Sequence, residues 1–277
     1  MISDITDIVD LDRYPVSDIG TPAARAFVRE GRRRLAADGV FALPGFIRPA
    51  ALSAMQEEAD VLCREAFRRT ERRNGFPSGM GEDTRVSLGC VGYDQMPAES
   101  PMRRLFLWDG LTNLVSEVLE RRSFHRSADP IAACMVTEFA PGDELGWHFD
   151  PNDGVVTLML RSAGAGGAFE YAPNVRDRDD LPAVIAGALE QRGADVIGLD
   201  TQPGTLTLFN GFRSLHRVAP VEAAPSRLML VLSYDSAPGQ VFSDEIHLRF
   251  FGRRRPVAGR AATTRAPQPP ARSRETM

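Results

Sequence analysis

The chain has 277 residues, 43% of them hydrophobic and 25% charged, a composition that suits a globular protein with a sizeable core. Its three cysteines, Cys63, Cys90 and Cys134, are far apart and form no CxxC pattern, which speaks against a disulfide framework or a thiolate zinc site. The net charge is −4, but from Phe251 onward seven arginines face one glutamate, a tail of +6, so the preceding chain carries −10 and is a poor match for broad nucleic-acid binding.

In chain order, the acidic start MISDITDIVDLD lacks the basic-then-apolar order of a secretory signal. With no apolar run of membrane-spanning length, the expected setting is the cytoplasm. Residues 22–37 predict a helix with Ala24, Phe27, Val28 and Leu35 on its apolar side, stopped by the Asp38–Gly39 pair. VFALPGF at 40–46 predicts a short strand and turn. A second helix is expected from Pro49 through about Phe67, and a third over about 101–121. The Gly-, Pro- and polar-rich stretch 72–99 reads as irregular. After Pro130 come short runs such as IAACMVTEFA, VVTLMLR, GTLTLFN and RLMLVLSYD, rich in Val, Leu, Thr and Phe and separated by turn residues. They predict an antiparallel barrel or jelly roll, interrupted by one helix at 179–193.

The stretch GWHFD at 146–150 carries the first chemistry. In extended chain, His148 and Asp150 point to the same side and can face one ion together, while Trp147 and Phe149 turn away. Two histidines and one carboxylate leave three open positions on an octahedral iron. His125 and His247 are candidates for the third ligand. His216, in FNGFRSLHRVAPV, fits best, because 68 residues after His148 a late strand can return beside an early one. Arg227 opens the apolar strand that follows. A guanidinium there is costly unless paired, which suggests a clamp for a carboxylate. The PNDG at 151–154 reads as a turn, with Asp153 a turn residue and not a ligand. Every basic side chain is arginine, with no lysine, so a cationic anion site rests on Arg forks or on protonated His.

These motifs, with GGAFEYAPNVR and PGTLTLFNGFRSLHRVAPV, resemble the iron(II)/2-oxoglutarate-dependent oxygenase superfamily over about residues 131–236. The chain is most similar to small bacterial hydroxylases and halogenases of free amino acids and natural-product intermediates. The resemblance implies a mainly β fold with flanking helices around a double-stranded β-helix (jelly roll, cupin-like) core. It implies Fe(II) on His148, Asp150 and His216, 2-oxoglutarate on Arg227, and O2 as oxidant. Thr157 and Thr207 are candidates beside the co-substrate, and Arg85 for a substrate carboxylate. Glu170 is a candidate for a substrate ammonium, or else for a salt bridge to an outer helix. Halogenases of this kind replace the aspartate with Gly or Ala to admit chloride. The retained Asp150 therefore implies hydroxylation of a small, amino-acid-like molecule, with no nucleic-acid or membrane partner. Desaturation or ring closure, a 2-oxoglutarate-independent cupin-like metalloenzyme, a hydroxylase of protein or carrier-bound substrates and a non-catalytic barrel are the alternatives. One oxygenase domain is expected over 1–255, with a helical part at 20–125, the β-helix core at 130–250 and a disordered Arg/Pro-rich tail at 256–277.

Overall fold

The computed structural model describes residues 4–77, 80–121, 123–151, 155–193 and 195–257. The expected tail from 258 onward and the turn residues 152–154, Asp153 included, lie outside the described residues.

After a short helix α1 (Ile5–Ile8), Thr21 caps α2 (Pro22–Asp38) by accepting from the Ala24 amide, and Pro22 supplies a preset first turn. Gly39 ends α2 in the left-handed region at φ 70°, where a side chain would be strained. The chain enters β1 (Val40–Leu43) directly. Helix α3 (Pro49–Cys63) is shorter than expected, because Phe67 already begins a strand.

The stretch read as irregular holds β3 (Thr84–Val91), which forms a long hairpin with β2 (Phe67–Arg73), paired from Phe67↔Cys90 to Arg73↔Thr84. Its signal is hidden because the alternate residues Arg69, Glu71 and Arg73, which strand geometry puts on one side, are charged. The expected third helix is broken in two, α4 (Pro101–Leu107) and α5 (Asp109–Val118), at Trp108. The Trp108 ring lies against Gly110, where a Cβ would come within 2.2 Å of it.

The remaining elements are β4 (His125–Arg126), β5 (Cys134–Phe139), β6 (Glu144–His148), β7 (Val155–Arg161), β8 (Ala165–Gly166) and β9 (Phe169–Ala172). Then come α6 (Leu181–Leu189), β10 (Ile197–Leu199), β11 (Leu206–Phe209), β12 (Leu215–Val218), β13 (Val221–Ala223), β14 (Arg227–Asp235) and α7 (Asp244–Phe251). Among the described residues, one curled antiparallel sheet runs β1-β11-β7-β14-β5-β3-β6-β12-β9-β10. This is the double-stranded β-helix core with helices packed outside.

Strand periodicity divides the residues between the two faces of this sheet. On β14, Leu228, Leu230 and Leu232 join Val156, Leu158, Leu160 and Val136 in a core shared with Phe106, Leu111 and Leu114 of the helices. The alternate residues Arg227, Met229, Val231 and Ser233 line a cavity, as do Met135 and Thr137 of β5 and Val155 and Thr157 of β7. Leucine side chains therefore bind the sheet to its helices, and the polar residues among them face the interior. No helix among the described residues is long and apolar enough to cross a membrane.

Candidate active site

His148 ends β6 and His216 lies on β12, and the antiparallel register places the two directly opposite each other. Their ring centroids are 4.1 Å apart. Asp150, two residues beyond His148, puts Oδ1 3.7 Å from His148 Nε2 and 3.6 Å from His216 Nε2.

The backbone sets the histidine tautomers. His148 Nδ1 lies 2.8 Å from the Gly146 carbonyl and His216 Nδ1 2.9 Å from the Ser214 carbonyl. A carbonyl can only accept, so each Nδ1 carries a hydrogen and each neutral ring turns the lone pair of Nε2 inward. Two lone pairs and a carboxylate oxygen thus converge at separations longer than a hydrogen bond. Without a cation between them they would repel one another. Among the described residues this is the one group of His, Cys, Asp and Glu side chains placed to hold a metal ion, with its ligand atoms all within 4.8 Å of one another. Backbone acceptors on the far ring nitrogens are the usual outer support of metal-bound histidine. The residues present fit iron(II).

The electrostatics agree with that role. Burial, then the neighbouring His216, holds His148 below the ordinary imidazole range, which keeps it neutral and able to ligate. Burial alone would raise the Asp150 carboxyl. The flanking His216 and His148 side chains outweigh burial and hold it well below the usual carboxylate range.

Two glycines bring backbone against this triad. A Cβ on Gly75 would meet His148 Cβ at 2.4 Å, and the Gly75 carbonyl accepts from the Phe149 amide. A Cβ on Gly211 would fall 1.9 Å from Asp150 Oδ2, and the Gly211 carbonyl accepts from the Asp150 amide at 3.0 Å. Trp147 and Phe149 point away into a cluster with Leu181, Val184 and Ile185 around α6. Phe209 packs edge-on to His216, with ring centroids 4.9 Å apart, and Phe169 stands beside both.

The cavity has a volume of about 300 Å³, at the small end for a ligand site. Arg227 lines it and is only 2% exposed. Among the described residues no carboxylate pairs with it; its guanidinium lies 5.7 Å from the centre of the Phe139 ring, and burial pulls it down to about 10. Thr157 and Thr207 both line the cavity and face each other across β7 and β11.

Arg85 and Glu170 do not join them. Arg85 Nη1 donates to the Gly142 carbonyl and pairs with Glu144 at 3.1 Å, on a half-exposed edge. Glu170 accepts from Arg217 Nε at 2.5 Å, so its salt bridge goes to the adjacent strand and not to an outer helix. His125 bonds Ser123 at 2.8 Å, and His247 Nε2 bonds the buried Asp129 at 2.7 Å.

Three cavity-lining arginines escaped the sequence reading: Arg69 and Arg73 on β2 and Arg249 on α7. The available signal was the two-residue spacing of Arg69 and Arg73, which becomes visible only once residues 67–73 are read as a strand.

The fold and the triad together define an iron(II)/2-oxoglutarate-dependent oxygenase. The chain belongs to the Halogenase D (HalD) family, whose pattern matches residues 23–246. Among solved structures it is similar to the non-heme alpha-ketoglutarate-dependent carbocyclase SnoK from nogalamycin biosynthesis, at 14% identity and TM-score 0.56 over 76% of this chain and 84% of that one. The alpha-ketoglutarate-dependent epimerase SnoN of the same biosynthesis matches at 17% identity and TM-score 0.55, over 77% and 84%. AviO1 from Streptomyces viridochromogenes Tue57 matches at 16% identity and TM-score 0.54, over 76% and 97%. At these identities the likeness is one of fold. No curated protein matches the sequence.

Proposed function

We propose that the protein hydroxylates an unactivated C–H bond of a small molecule, an amino acid or a derivative of one. The observation that carries this reading is Asp150. Its carboxylate stands within 3.7 Å of both ligand nitrogens, in the position that must be vacated for a halide to bind the metal. A chain of the Halogenase D family that keeps this carboxylate is equipped for oxygen transfer and not for chlorination.

His148, Asp150 and His216 would hold the iron. When bound with 2-oxoglutarate and O2, iron(II) supplies the oxidising power that breaks the C–H bond, with release of succinate and CO2. The chain's own residues do the positioning. Arg227 offers a buried fork with no carboxylate partner among the described residues, and the far carboxylate of 2-oxoglutarate is the anion proposed for it. Thr157 and Thr207 add hydroxyls on the same wall. Phe169, Phe209 and Met229 make that wall apolar, which limits water near the reacting centre. The cavity volume favours a free small molecule over a protein segment.

The test is incubation with iron(II), 2-oxoglutarate, O2, chloride and a panel of amino acids, with succinate and product masses measured. A substrate that gains one oxygen atom supports the proposal. Loss of two hydrogens would identify a desaturase or cyclase, and gain of chlorine a halogenase.

A further inference from the structure

The charge lining the cavity is more positive than the iron and co-substrate account for. Arg69, Arg73 and Arg249 share one region of the wall, and the one carboxylate among them is Glu71. Glu71 Oε1 serves two of the three at once, at 3.1 Å from Arg69 Nη1 and 2.8 Å from Arg249 Nη2. Among the described residues Arg73 has no carboxylate partner, and the buried Nε of Arg73 and of Arg69 are both without an acceptor. Arg69 is 9% exposed and its guanidinium carbon lies 4.0 Å from the centre of the Phe250 ring, so packing restrains its fork.

This group is distinct from Arg227. Arg227 opens β14 and stands over the Phe139 ring, whereas Arg69 and Arg73 lie on β2 and Arg249 on α7, with Arg69 over the Phe250 ring and joined to Arg249 through Glu71. Arg73 stands two residues before Gly75, whose backbone abuts His148, which places it on the side nearest the triad. Over the whole wall Arg69, Arg73, Arg227 and Arg249 face the carboxylates of Asp150, Asp235 and Glu71, so positive charges are in excess by about one, and iron(II) with 2-oxoglutarate, at +2 and −2, leaves that excess unchanged. Such charges are costly unless a ligand neutralises them. A substrate with a cationic side chain would worsen the imbalance, a monocarboxylic amino acid is neutral overall and leaves it unchanged, and a dicarboxylic one, with two carboxylates and one ammonium, carries the single negative charge that corrects it.

We infer that the cavity selects a substrate with two anionic groups, of the dicarboxylic amino-acid type, one acid group on Arg73 and the other on Arg69 and Arg249. The inference rests on the reading of the protein as an oxygenase of amino-acid-like molecules, and narrows it to acidic ones.

The test is calorimetric titration of protein loaded with iron(II) and saturating 2-oxoglutarate without O2. The probes are L-glutamate and L-2-aminoadipate, compared with L-leucine and L-lysine. At least one dicarboxylate is expected to bind about ten-fold or more tightly than leucine, with lysine weakest, one lost charge-assisted contact being worth about that factor. Arg69→Gln is expected to weaken dicarboxylate binding more than leucine binding and so to remove this advantage. Arg73→Gln provides the same test where Arg69→Gln does not fold. Glu71→Gln, which strips the competing internal carboxylate, tightens dicarboxylate binding.

Leucine or lysine binding as tightly as both dicarboxylates, or no detectable dicarboxylate binding, overturns the inference. So does a loss of 2-oxoglutarate binding in Arg69→Gln that Arg227→Met does not share, because the cluster would then be the co-substrate's seat. Because no turnover occurs, the result is independent of the hydroxylation assay. Dicarboxylate binding without an oxygenated product would sink the hydroxylase reading and leave the binding specificity standing.

Discussion

Asp150 is held against the backbone of Gly211: the Gly211 carbonyl accepts from the Asp150 amide at 3.0 Å, and a Cβ on Gly211 would lie 1.9 Å from Asp150 Oδ2. The triad carboxylate is thus positioned by the absence of a side chain on the loop before β12. Gly211→Ala is expected to displace the carboxylate and weaken metal binding by about 10- to 100-fold, the usual range for changes to the groups supporting a metal ligand. Metal titration together with circular dichroism checks this. A variant that binds metal normally would show that the loop yields and that Gly211 does not set the carboxylate.

Arg227 gives a prediction with opposite signs for binding and stability. Arg227→Met removes a buried guanidinium with no carboxylate partner among the described residues. The Kd for 2-oxoglutarate should rise by about 10- to 100-fold, the equivalent of roughly 1.5–3 kcal/mol for hydrogen bonds to a charged group. The ligand-free protein should melt no lower than wild type, since an apolar side chain of similar volume carries no desolvation cost. A lower Tm with unchanged 2-oxoglutarate binding would make Arg227 a structural residue.

Burial lowers His148 in the folded chain. On acidification the unfolded chain therefore takes up this proton first, at an ordinary imidazole value of about 6.5. The stability the group contributes is fully present above that value and is lost as pH falls through the lowered folded value. The Tm of metal-free protein should thus decline from pH 7.5 toward pH 5, and less steeply in His148→Gln. Equal slopes for the two proteins would refute this assignment.

Asp129 fixes the helix that carries Arg249. Its carboxylate accepts from the amides of Ile131, Ala132 and Phe242 and bonds His247 Nε2 at 2.7 Å. Asp129→Ala leaves these donors buried and unpaired. The expected cost is about 3–5 kcal/mol of unfolding free energy, measured by urea denaturation, with a loosened α7. A cost near zero would mean that α7 is held by its apolar contacts alone.

The triad was legible because its signal is local and periodic. His148 and Asp150 share a strand face by spacing alone, and His216 and Arg227 sit on runs whose β pattern is unambiguous. The β-helix core was legible in its short Val-, Leu-, Thr- and Phe-rich runs, such as RLMLVLSYD, separated by turn residues. What stayed hidden was the hairpin β2–β3. Its inward residues Arg69, Glu71 and Arg73 are charged, so no apolar alternation marks it, and only pairing with β3 reveals that Arg69 and Arg73 face the cavity. Arg85 was a reasonable candidate from the same region. It lies across from Arg72 in that hairpin, and its guanidinium is taken by Glu144 and the Gly142 carbonyl. The break at Trp108 was also invisible, because the helical apolar pattern runs through it and the close approach of its ring to Gly110 is a matter of tertiary packing.

The most direct test of the central claim compares wild type with Asp150→Ala, each with iron(II), 2-oxoglutarate, O2 and chloride, over an amino-acid panel that includes glutamate and 2-aminoadipate. Succinate and product mass are measured together. The predicted result is wild-type succinate matched by a product that has gained one oxygen atom and no chlorine, with both lost in Asp150→Ala. Succinate no higher than in the variant, or a chlorinated product from wild type, would contradict the account.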